Sequence, residues 1–140
     1  MLECLIMGDS IAVGTHQFKQ QCVAYAKGGI NSKQWLDKNV GKSPYIAKTV
    51  IISLGSNDHQ YVKTESELET IRELTKADRV YWILPAGNLK ASKVNIQDVQ
   101  NIVRKIASKY GDTVLPITRL QPDGIHPSWA GYKELVEKTK

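Results

Sequence analysis

The sequence predicts an α/β fold of three layers, a central parallel sheet of five strands with helices on both faces. Two observations predict it: short apolar, β-branched runs recur along the chain, and amphipathic segments with helical spacing separate them. The runs lie at 2–7, 22–26, 49–54, 79–84 and 113–117. Each is too short for a core helix, and their length and β-branching favour buried strands, the pattern that parallel sheets require.

The helical segments follow in order. Residues 11–18, after the first strand, and a segment holding Trp35 and Leu36, after the second, supply the first two. Leu68, Ile71 and Leu74 are spaced by three, and Thr64 with Glu67 predicts a capping box at the start of that helix. Val99, Ile102, Val103, Ile106, Ala107 and Tyr110 form one helical face, with Gly111 placed to end it. The last helix carries Trp129, Tyr132, Leu135 and Val136 on one side, a face expected to dock through its aromatics. The stretches 41–44 and 85–92 are loops, neither long enough to divide domains, and one domain spanning 1–140 is expected.

Composition bounds the function. The chain has 140 residues, 41% hydrophobic and 24% charged, with 19 Lys and Arg against 14 Asp and Glu. A core of this size needs neither metal nor disulfide. Cys4 and Cys22 lack metal or redox spacing, so free thiols in a reducing compartment are expected, with a bridge between neighbouring strands as the less favoured alternative. Glu3 and Asp9 interrupt the first apolar run, which excludes a membrane span there and argues against a secretory signal. The mature chain is expected to start near Met1 and to be cytoplasmic; a phage virion protein, or one exported by another route, would have the same features. The formal charge of +5 is spread along the chain without a basic stripe interleaved with aromatics, so no nucleic-acid partner is expected, although an anionic substrate is favoured.

In open α/β sheets ligands bind beyond the carboxyl ends of the strands. Gly8-Asp9-Ser10 follows the first strand, Gly28-Gly29-Ile30-Asn31-Ser32 the second, Gly55-Ser56-Asn57-Asp58 the third, and Asp123-Gly124-Ile125-His126 the fifth. Ser10 falls at a helix N-terminus, where free N–H groups favour developing negative charge; an ordinary N-cap is the alternative. Asp123 and His126 share a turn marked by Pro122 and Gly124, so the carboxylate can orient one imidazole nitrogen and leave the other for the serine. Asn57 offers an amide donor for a tetrahedral oxyanion. The set fits nucleophilic acyl transfer.

These blocks, in this order and over nearly the whole chain, resemble those of the SGNH, or GDSL, hydrolases. The resemblance implies a flavodoxin-like sheet, Ser10 as nucleophile, Asp123 and His126 as its triad partners, and an oxyanion hole from Asn57, the Ser10 amide and a backbone amide of the second block. That last donor is Gly29 when glycines are aligned and Ser32 when Ile30 is aligned. No cofactor is implied.

Other motifs fail. Gly41-Lys42-Ser43 ends like a phosphate-binding loop, but Leu36 stands where its first glycine belongs. Ala12 breaks the Gly-x-Ser-x-Gly elbow. His16 and His59 have no spaced partners for a metal, and none is expected. Trp35, Trp82 and Trp129 are expected in packing, with Trp129 nearest the site in sequence. The brief strand-end loops favour small acyl esters, such as acetyl groups on carbohydrate. The rivals are a thioesterase or lysophospholipase, and a carbohydrate-binding or structural module, the latter favoured by the altered second block.

Overall fold

A computed structural model of the chain describes residues 1–87 and 92–140, so half of the loop expected at 85–92 lies outside the described residues. Five strands, β1 (Leu2–Gly8), β2 (Val23–Ala26), β3 (Tyr45–Ser53), β4 (Thr75–Ile83) and β5 (Thr113–Leu115), form one sheet. All four pairings are parallel, in the order β2-β1-β3-β4-β5. This is the flavodoxin-like order expected, and it reverses direction between β1 and β3.

Helices α1 (Ser10–Gln17) and α5 (Trp129–Lys138) cover one face; α2 (Ser32–Asn39), α3 (Thr64–Glu73) and α4 (Ile96–Tyr110) cover the other. Successive strand residues serve the two faces in turn. Leu5, Met7, Val50, Ile52, Val80 and Trp82 pack with Trp35, Leu68, Ile71 and Val103. Cys4, Ile6, Ile51 and Ile83 pack with Ile11, Ala12, Tyr132 and Leu135. Burial on both sides is why these strands are continuous apolar runs.

Four expectations change. β3 and β4 begin four residues earlier than their apolar runs, because Ile46, Lys48, Lys76 and Asp78 are exposed and the strands alternate there. β5 stops before Pro116, which has no N–H to continue the ladder. The Thr64 capping box does not form: Lys63 is the N-cap of α3, and the Thr64 hydroxyl donates to Asp58 instead. Cys4 and Cys22, expected as free thiols, form a disulfide, since the Leu5–Val23 register sets them side by side with Cα atoms 4.8 Å apart. The Gly111 cap of α4 forms as expected, in the left-handed region at φ 72°.

Trp35 and Trp82 are fully buried. Tyr132 stacks on Phe18, whereas Trp129 meets Phe18 edge-on and stays 71% exposed, so the aromatic face of α5 docks only in part. Among the described residues no helix is long and apolar enough to cross a membrane.

Candidate active site

Gly8 starts the site. Its φ is 147°, and a Cβ there would lie 1.8 Å from the Ser53 carbonyl oxygen, so only glycine lets β1 pass β3 this closely before the turn. Asp9, not Ser10, caps α1: its Oδ1 accepts the Ile11 N–H at 3.0 Å and the Ser53 hydroxyl at 3.2 Å. Asp9 is fully buried, and that burial pushes its carboxyl up to about 7 against the pull of these donors. With the cap supplied by its neighbour, Ser10 keeps its hydroxyl free for other contacts. Its N–H, at the first position of α1, has no acceptor within the helix.

The Ser10 hydroxyl meets His126 Nε2 at 2.8 Å, and His126 Nδ1 meets Asp123 Oδ2 at 2.7 Å. A carboxylate only accepts, so Nδ1 carries the proton and Nε2 accepts from Ser10. The other Asp123 oxygen, Oδ1, takes the backbone N–H groups of Ile125 and His126 at 2.9 and 3.0 Å. One carboxylate therefore shapes the turn and orients the ring. Those donors, the Ile125 amide first and the imidazole next, hold Asp123 down at about 2. The turn closes on itself through Gln121 N–H to the His126 carbonyl at 2.8 Å, and Ser128 N–H to the Arg119 carbonyl at 2.9 Å fixes it at the start of α5.

The loops after β2 and β3 are joined beside this row. Asn57 Nδ2 donates to the Ile30 carbonyl at 3.1 Å, which leaves its second N–H for another acceptor. Asp58 is 1% exposed; its Oδ1 accepts the Ser32 N–H and its Oδ2 the Thr64 hydroxyl, both at 2.8 Å. This corrects the expectation for Ser32, whose amide is occupied by a carboxylate. Gly29 turns the chain at φ 78° in open surroundings. The glycine bordering the serine is Gly28, whose Cβ position lies 3.9 Å from that of Ser10.

Sequence reasoning missed the Asp9 cap and the bonds of Asp58. The Asp before Ser10 and the Thr six residues after Asp58 were the signals for them. It also missed the capping box of α2, where Asn31 accepts from Gln34 N–H at 2.9 Å and the Gln34 side chain accepts from Asn31 N–H at 3.0 Å. His16 and His59 find backbone partners, the Cys22 carbonyl and the Tyr61 N–H. Among the described residues no cluster of His, Cys, Asp or Glu is arranged to hold a metal.

Similar architecture occurs in solved structures. A GDSL-like lipase from Bacteroides thetaiotaomicron superposes with a TM-score of 0.68 at 19% identity, covering 99% of this chain and 89% of that one. The chain has the fold of the GDSL-type hydrolases. The C-terminal catalytic domain of peptidoglycan O-acetyltransferase A from Streptococcus pneumoniae, solved with a methylsulfonyl adduct, matches this GDSL-type fold with a TM-score of 0.67 at 16% identity over 96% and 88% of the two chains. An extracellular lipase from Streptomyces rimosus covers 100% of both chains at 11% identity with a TM-score of 0.66. No family model and no curated protein sequence matches the chain.

Proposed function

We propose that the protein is a serine esterase acting on small acyl esters, acetyl above all, carried by carbohydrate. One observation carries the reading: the unbroken row from Ser10 Oγ through His126 to Asp123, with contacts of 2.8 and 2.7 Å. Ser10 Oγ attacks the ester carbonyl while its proton passes to His126 Nε2, and the carbonyl π electrons move onto oxygen. The Asn57 amide and the Ser10 N–H, with the Gly28–Gly29 backbone alongside, stabilise that oxyanion. Collapse expels the alcohol, which takes the proton from His126 and leaves an acyl-Ser10 ester. Water, deprotonated by His126, then releases the acid and restores the serine. Asp123 stays ionised and holds the Nδ1–H tautomer throughout.

The loops after β1 and β2, beside Ser10, are short, which favours a small acyl group, and the exposed Trp129, three residues beyond His126, supports a sugar as the alcohol. The working compartment is proposed to be oxidising, as the Cys4–Cys22 bridge requires, in place of the cytoplasm that free thiols favoured.

Hydrolysis of p-nitrophenyl esters from acetate to octanoate tests the reading. The expected result is activity greatest on acetate and falling with chain length. Activity that rises toward octanoate supports a thioesterase or lysophospholipase instead, and a folded protein inert on every ester supports a binding module.

A further inference from the structure

Two cavities that share Lys27 and Lys38 lie against β2, the loop that follows it and α2, and Gly28 borders the first. It has a volume of about 340 Å³ and is lined by Lys27, Gly28, Gly29, Ile30, Gln34 and Lys38. The second, about 210 Å³, shares Lys27 and Lys38 and continues past Tyr25 to Lys42. Three lysines and no carboxylate line the pair. Among the described residues none of the three has an acidic partner. Asp37, the acid of the same helix, is held by Lys33 at 2.7 Å. β2 is an edge strand, so no further strand flanks this positive cleft. Gly28 lines the first cavity and its Cβ position lies 3.9 Å from the Cβ of Ser10, so the cleft and the serine share that residue as a border.

We infer that this cleft is a subsite for the anionic remainder of the substrate, a glycan bearing carboxylate or phosphate groups near the ester held at Ser10. The inference rests on the esterase reading above. Lysine ammonium groups act as point charges and take either anion. Clustered in a cleft of one sign, they raise the local concentration of a polyanion, and salt screens the effect. A single-stranded nucleic acid fits less well, because it needs open aromatic faces for stacking. Of the two aromatics that line the cleft, Trp35 is fully buried and Tyr25 has Lys42 Nζ 5.5 Å from its ring centre.

The test compares kcat/KM on acetylated polygalacturonate, acetylated poly(glycerol phosphate) and neutral acetylated xylan, each relative to p-nitrophenyl acetate. At low ionic strength at least one anionic polymer is expected to exceed xylan by about tenfold. The two anionic arms separate carboxylate from phosphate. High salt removes the advantage, and so does Lys27→Gln/Lys38→Gln, through KM. Lys76→Gln/Arg104→Gln, which removes the same charge from exposed positions outside the cleft, keeps it. Equal rates on charged and neutral polymers, or an advantage untouched by Lys27→Gln/Lys38→Gln, overturn the subsite while leaving the esterase intact. Inertness toward p-nitrophenyl acetate overturns the esterase reading instead. Calorimetric titration with unacetylated polygalacturonate and poly(glycerol phosphate) then decides the subsite: binding weakened by the Lys27/Lys38 changes sustains it. Absence of binding to both, or tighter binding of an oligonucleotide through the same lysines, overturns it.

Discussion

Asp58 ties Ser32 to Thr64, taking the backbone N–H of one and the hydroxyl of the other at 2.8 Å each from a fully enclosed carboxylate. The bond fixes the loop after β3 against the loop after β2, and Asn57 lies in the first of these beside Asp58. Asp58→Ala orphans both donors, at about 1–3 kcal/mol for each. Chemical denaturation is expected to show that loss, together with a lower kcat because Asn57 is no longer held. A variant as stable as the wild type would remove Asp58 from this role.

Asn57 acts on the developing oxyanion in this account, so Asn57→Ala should lower kcat by about 10²–10³ while KM changes little. Steady-state kinetics on p-nitrophenyl acetate separates the two constants. An increase confined to KM would mean that Asn57 grips the ground state and not the transition state.

Much of this site follows from residue order. Parallel strands buried on both faces leave unbroken apolar runs, so the strand ends, and with them Ser10, Asn57 and the Asp123-His126 turn, stand out as polar islands. What was not legible depends on neighbours distant in sequence. The Cys4–Cys22 bridge was open as an alternative, but choosing it over free thiols needs the strand order, since the 18-residue separation alone does not fix pairing. The fate of the Ser32 amide depends on Asp58, 26 residues away. The first halves of β3 and β4 escaped because half-buried strands alternate and lose the continuous apolar signal.

Burial of Asp9 makes stability depend on pH. The folded state keeps its proton up to about 7, whereas the unfolded chain releases it near the ordinary value of 3.8. The contribution is therefore full below the unfolded value, is lost as pH rises through the window between the two, and is flat above it. Stability relative to Asp9→Asn should fall by about 1.4 kcal/mol per pH unit within that window. Denaturation curves of the two proteins at matched pH test this, and parallel pH profiles would contradict it.

The Cys4–Cys22 bridge closes a loop with a sequence separation of 18. Closing a loop of that size stabilises by about 3 kcal/mol in the chain-entropy model. Cys4→Ala/Cys22→Ala is expected to lose about that much, and the denatured, unreduced wild type should show no thiol by titration. Two reactive thiols per denatured chain would show the bridge absent.

The mechanism depends on Ser10 being a nucleophile activated by His126. Labelling with phenylmethylsulfonyl fluoride, followed by peptide mapping, tests it without knowledge of the natural substrate. One sulfonyl group per chain is expected, on Ser10, with the rate of labelling greatly reduced in His126→Ala. Folded wild type that takes up no label, or labels at another residue with Ser10 untouched, would contradict it.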